Sequence, residues 1–138
     1  MADKVNFELV SPVQLLLSQE VDMVVVPGAE GDFGVLADHA PVISTIRAGT
    51  ITVFDNGAAS ARIFVAGGFA EVTAERCTVL AENAEPLDEM DRSAVESQLG
   101  ELRDALGNVN DDGERQKTAA AIAIAEAKLE ALDDQIYE

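Results

Sequence analysis

Asp38 and His39 are the first pairing in this 138-residue chain that could do chemistry. A carboxylate beside an imidazole can orient a general base, and His39 is the only histidine present. Neighbours in a loop need not face one another, however, and no serine or cysteine nucleophile motif accompanies them. The pair reads better as a polar contact or a loop-bracing histidine. Around it, the run from Val26 to Pro41 holds Gly28, Gly31 and Gly34, Pro27 and Pro41, and the carboxylates of Glu30, Asp32 and Asp38. Glycines at this density suit a tight loop with positive φ and close backbone approach. A phosphate cradle would add a helix N-terminus and a Lys or Arg, yet the next base along the chain is Arg47. The Gly28-x-x-Gly31-x-x-Gly34 spacing also fits neither a P-loop nor a dinucleotide fingerprint. An acidic, preformed loop suits a protein partner best.

Other constellations reduce to structure when tested. Asn108-x-Asn110-x-Asp112-Gly113 opens like a calcium loop, but its first position should be Asp, and Ala119 stands where a bidentate Glu is required. It reads as a solvated turn between helices. The run Glu82, Glu85, Asp88, Glu89 and Asp91 has no His or Cys and no regular spacing, so it reads as linker and helix cap rather than a metal cluster. Cys77 is the single cysteine and sits in a strand-like run, which points to a small buried side chain and a reducing compartment. Gly67-Gly68 makes a turn or a close approach of backbone to a neighbour. No catalytic site emerges, and no metal site is expected.

The elements that position these residues change character near Pro86. Before it, hydrophobic residues alternate with a period of two. Val5, Phe7 and Leu9 line one face of a first strand, and Leu15 and Leu17 suggest a second. Val21 to Val26 is almost continuously apolar, as a strand buried on both faces would be. Strand patterns follow over 42–46, 50–54, 62–65, 69–73 and 77–80, separated by turn signals at Ala48-Gly49, Asp55-Asn56-Gly57, Gly67-Gly68 and Thr73-Ala74-Glu75. Asn56-Gly57 is the strongest hairpin signal among them. Eight or nine short strands at this spacing predict a β-sandwich or small barrel.

Beyond Pro86 the period becomes helical. Val95, Leu99, Leu102 and Leu106 share one face of a helix predicted to start at Asp88, with Glu89 and Asp91 in its first turn. Gly107 is a stop, and a second helix is expected from about Glu114, with Ile122, Ala125, Leu129, Leu132 and Ile136 as its stripe. Seven alanines between Ala119 and Ala131 allow close helix approach. The division expected is a β-domain over 1–86 and an antiparallel helical hairpin over 87–138. So small a hairpin is marginal alone, and must dock on the β-domain, on a partner, or on each in turn.

A formal net charge of −17 excludes binding to nucleic acid or anionic lipid through clustered bases. It favours basic protein faces as partners. No apolar run reaches the roughly 20 residues of a membrane span. The first residues carry no signal or transit pattern, so an intracellular, bacterial chain is expected.

Pro27 to Pro41, followed by Thr45-Ile46-Arg47-Ala48-Gly49, closely resembles the epsilon subunit of bacterial and chloroplast F-type ATP synthases. Val65-Ala66-Gly67-Gly68-Phe69-Ala70-Glu71-Val72 and Val79-Leu80-Ala81-Glu82 match a second block of that family. The likeness covers nearly the whole chain, and its helical part matches mainly in architecture. It implies a ten-strand β-sandwich followed by a C-terminal two-helix hairpin. It also implies a non-catalytic rotor subunit that links the gamma subunit to the c ring and couples proton flow to ATP synthesis. Such a subunit lies on the cytoplasmic face of the bacterial inner membrane and meets the membrane only through its complex. Carried onto this sequence, the family's c-ring contacts implicate Glu30, Asp32, Phe33 and His39.

The same resemblance implies an alternative role for the arm, as a regulator that inhibits hydrolysis at the alpha/beta head and senses ATP. The relatives' ATP motif is an apolar residue, Asp, two free positions, Arg and Ala. In Leu87-Asp88-Glu89-Met90-Asp91-Arg92-Ser93 the place of Arg holds Asp91, and Arg92 falls one residue late, about 100° around a helix. Arg115 or Lys117 would have to supply a second base, so no cofactor is expected. Inhibition would bring the second helix to an acidic segment of the beta subunit. From Glu114 to Glu138 there are three bases against six carboxylates, which disfavours that contact.

Overall fold

The computed structural model describes residues 4–133. The strands are β1 (Val5–Val10), β2 (Leu15–Val21), β3 (Met23–Gly28), β4 (Gly31–Val35), β5 (Val42–Thr45), β6 (Gly49–Asp55), β7 (Ala58–Val72) and β8 (Arg76–Pro86). A 3-10 turn at Leu87–Glu89 leads to α1 (Arg92–Gly107) and α2 (Asp112–Asp133).

Alternation decides the strands as expected: Val5, Phe7 and Leu9 are buried, while Asn6 between them is exposed. Asn56 and Gly57 both take left-handed φ, 56° and 80°, which is what a two-residue β6–β7 turn needs. The hydrogen-bonded order is β2-β1-β8-β7-β6-β3-β4, with β5 also on β7. β7 and β8 are long and serve two layers. The second half of β7 pairs with β5 and with the start of β8, whose Arg76–Leu80 run lies parallel to β1. The first half of β7 pairs with β6 and with the end of β8. Eight continuous strands thus make ten segments, five in each layer of a sandwich. Between the layers lies one apolar core that includes Phe7, Leu9, Val24, Ile51, Val53, Val72 and Cys77. Each such side chain, fully buried, contributes about 1.5–3 kcal/mol.

Several boundaries differ from those expected. Arg62–Val65 and Phe69–Thr73 belong largely to one strand, because Gly67 and Gly68 bend β7 without ending it. Gly68 has φ 112° and lies so close to β8 that a Cβ would overlap the Leu80 carbonyl. The apolar run Val21–Val26 divides at Asp22, with Val21 closing β2 and Met23 opening β3. The glycine-rich stretch is not one loop. It contains strand β4, paired in register from Val24↔Val35 to Gly28↔Gly31 around a two-residue turn at Ala29-Glu30.

The helices also start elsewhere. Asp88 lies in the 3-10 turn, Met90 is extended, and Asp91 is the N-cap of α1, its side chain accepting from the Ser93 N–H at 3.0 Å. Burying Leu87 against the sandwich holds that turn apart from the helix. α2 starts at Asp112 rather than Glu114, since the Asp111 carboxylate caps the Glu114 N–H at 2.9 Å. The two helices pack through Val95, Leu99 and Ala125, with Leu102, Ile122 and Leu129 beside them. The other side of α2 sets Ala131 against Phe64, Ala66 and Leu87, with Ala127 and Leu132 beside them. The hairpin is therefore docked on the outer face of the sandwich. Ile136 of the expected stripe lies outside the described residues.

Candidate functional site

Two features of the sandwich offer themselves to a partner. The first is the tip of the β3–β4 hairpin. Its backbone is tied to the corner between β5 and β6: the Ala29 N–H donates to the Thr45 carbonyl at 2.8 Å, and the Arg47 N–H donates to the Pro27 carbonyl at 3.0 Å. Arg47 then reaches across the hairpin. Its Nη1 donates to the Gly28 carbonyl at 2.7 Å and its Nη2 to Asp32 Oδ1 at 2.5 Å. Gly28 is glycine for a local reason, since a Cβ there would lie 2.9 Å from the Phe33 ring. That ring is 6.5 Å from the imidazole of His39, tilted by 38°. His39 Nδ1 donates to the Ala40 carbonyl at 2.7 Å, the loop-bracing role expected of it.

The structure therefore gathers Phe33 and His39 into one half-exposed cluster and sets exposed Glu30 at the turn beside it. Asp32 faces Arg47. Sequence reasoning missed Arg47; its signal was that it is the one base among the residues between Lys4 and Ala61.

The second feature is an apolar row across the outer face of the layer that contains β1. Leu15 pairs with Val10, Val10 with Leu80, and Leu80 with Phe69, so these four side chains stand side by side over four strands. Leu15 is 57% exposed and Phe69 44%, with Ile43 at 71% one register step away on β5. Single exposed apolar residues are ordinary, whereas a continuous row on a strand face marks an interaction surface. The row ends where Phe69 pairs with Thr45, the residue whose carbonyl holds Ala29. The two features are thus continuous.

The three positions carried over from the ATP motif are not brought together. Asp88 lines a groove of about 680 Å³ between the end of the sandwich and the 3-10 turn, beside Leu16, Leu17 and Leu87. Arg92 pairs with Asp133 at the end of α2. Arg115 donates to the Val109 carbonyl at the opposite end of the hairpin, about 24 Å away by the rise of a 16-residue helix. Among the described residues no helix is long and apolar enough to cross a membrane, and no three His, Cys, Asp or Glu residues cluster as metal ligands. The Cys77 thiol is buried in the core, and burial pushes its pKa up to about 12.

Known proteins resemble this arrangement closely. The family model for the β-sandwich domain of the ATP synthase delta/epsilon chain matches residues 4–87. The ATP synthase epsilon chain of Paramagnetospirillum magneticum is 50% identical over 132 residues, covering 96% of this chain and 99% of its own. That of Rhodospirillum centenum is 51% identical, covering 98% and 96%. Among solved structures, a chain of the Euglena gracilis mitochondrial ATP synthase assembly of OSCP, F1 and c ring superposes with a TM-score of 0.81 at 25% identity, covering 96% of this chain and 83% of that one. A chain of the Tetrahymena thermophila central stalk and c ring shares the fold, with a TM-score of 0.64 at 14% identity over 95% and 98%. With the sandwich, its matched glycine hairpin and the helical pair all in place, this chain belongs to the epsilon-chain family of the ATP synthases.

Proposed function

We propose that this chain is a non-catalytic rotor subunit of an F-type ATP synthase, joining gamma to the c ring and so coupling proton translocation to ATP synthesis. The apolar row is the gamma-docking face, and the hairpin tip meets the polar loops of the c ring. The observation that carries the proposal is the continuity of the two surfaces at Thr45. A rotor joint must hold two partners in fixed relation, and a rigid sandwich with adjacent apolar and acidic faces does that. The assembly containing the Euglena neighbour includes both F1 and the c ring. On this reading the protein sits peripherally on the cytoplasmic face of the inner membrane, held there by its complex.

The arm is structural in this proposal. Of the bases on α2, Lys128 faces the sandwich and Arg115 bonds the interhelix turn, which leaves little positive charge for an acidic segment of the beta subunit.

Two substitutions test the docking face. Phe69→Glu and Leu80→Asp place charge on the row at solvent-accessible positions, so the sandwich keeps its core while gamma and the c ring no longer co-purify with it. Retained assembly of both variants would refute the proposal. The arm is tested by ATP hydrolysis of the whole complex with the full chain and with one stopped after Glu85. Equal rates with intact assembly are expected. A clear rise on truncation would establish an inhibitory arm instead.

A further inference from the structure

Asp32 and Arg47 are 15 positions apart, and neither belongs to a catalytic or ligand pattern. Their geometry is nevertheless specific. From the corner between β5 and β6 the guanidinium bonds the Gly28 carbonyl on β3 and the Asp32 carboxylate on β4. It therefore bridges both strands of the hairpin just below the turn that carries Glu30. A planar fork of fixed donors can do this, whereas a lysine ammonium would hold only a point. The pair is about a third exposed on the Asp32 side and nearly half on the Arg47 side, so solvent screens it and it adds little to stability. What it supplies is orientation. It also consumes charge: Asp32 is matched by Arg47, while Glu30 is exposed and has no ion-pair partner among the described residues.

We infer that Asp32 and Arg47 are positioning residues that set the hairpin tip, leaving Glu30 as the charge it offers to a cationic partner loop. The inference rests on the docking role proposed above. It assigns the tip one electrostatic contact, flanked by the Phe33–His39 cluster, where the sequence offers two carboxylates, Glu30 and Asp32, either side of Gly31. A partner loop matched to it carries one Lys or Arg opposite Glu30 and an apolar surface against Phe33.

The test is a titration of the full-length chain against purified gamma with the detergent-solubilised c ring, repeated over a range of salt concentrations. Screening weakens a contact between charges and leaves an orientational loss unchanged. Glu30→Gln should lower affinity and flatten the salt dependence. Asp32→Asn and Arg47→Gln should each lower affinity, and the double variant, which keeps the net charge of the tip as in the wild type, should lower it about tenfold while keeping the wild-type salt slope. The double variant should lose no more than either single change, because both break one clasp. If the charge-conserving double variant flattens the salt slope as Glu30→Gln does, Asp32 faces the partner and the inference is wrong. Additive losses in the double variant would overturn it too. If Glu30→Gln, Phe33→Ala and Asp32→Asn all bind as the wild type does, the docking reading itself falls and the inference goes with it. Should Arg47→Gln fail to fold, Arg47→Lys, which keeps the charge but not the two-point fork, decides the matter: affinity equal to the wild type would overturn the inference.

Discussion

The ammonium of Lys128, on α2, lies 6.0 Å from the ring centroid of Phe64, on the sandwich, and fastens the helical arm to the β-domain. The same Nζ is 3.3 Å from Glu85 Oε1, and the methylenes behind it run across the arm–sandwich contact. Lys128→Glu puts like charges together and removes the cation from the ring. The loss is roughly 1–2 kcal/mol, about tenfold in the population of detached arm. Amide hydrogen exchange in α2 should quicken to match, with β1 and β3 unaffected. Unchanged exchange would mean that Ala131, Leu132 and Leu87 hold the arm without help.

Gly68→Ala should be the most damaging small substitution in the sandwich. Its Cβ would run into the Leu80 carbonyl, and its φ of 112° is strained for any side chain. Relieving the clash means separating β7 from β8 where both cross between layers. The expected cost is about 3 kcal/mol or more, read as a lowered denaturation midpoint. Gly100→Ala, in the middle of α1 with open space around it, should instead stabilise by about 0.5–1 kcal/mol.

Cys77 makes stability fall in alkali. Its thiol ionises near 9 when exposed and is pushed up to about 12 in the core by burial. Between those values the unfolded chain releases a proton that the folded chain retains, so stability drops by about 1.4 kcal/mol per pH unit. The contribution is intact below pH 9 and is lost progressively as pH rises toward 12. Cys77→Ala should remove that slope at the cost of a small cavity, and native-state alkylation at pH 8 should be negligible. Rapid alkylation of the folded chain would contradict the buried position.

ATP should leave the melting temperature of the full chain unchanged. Arg92 is committed to Asp133, Asp88 faces the groove, and Arg115 is at the far end of the arm. A ligand at 100 times its Kd would add about 2.7 kcal/mol, which a thermal melt detects easily. A saturable shift abolished by Arg92→Ala would reverse this expectation.

The features legible from the order of residues are local. The alternation of Val5, Phe7 and Leu9, the Asn56-Gly57 turn and the change to helical spacing after Pro86 each depend on residues within a few positions of one another. Side-chain direction along a strand or helix repeats over that distance, so the pattern is legible without a partner. The glycine-rich block could also be marked as special from its composition. That Gly31–Val35 within it forms β4 could not, because glycines carry no alternation, and only pairing with β3 makes that segment a strand.

Tertiary structure alone decided the rest. Gly67-Gly68 is a bend rather than a break because β8 runs against it, and that neighbour is more than ten residues away. Asp91 caps α1 in place of Asp88 because Leu87 is drawn into a contact with Phe64 and Ala131. Arg47 meets Asp32, and Leu15, Val10, Leu80 and Phe69 align, through strand order and register. Those depend on which strands lie side by side, and periodicity within a strand says which face is apolar without naming the strand beside it.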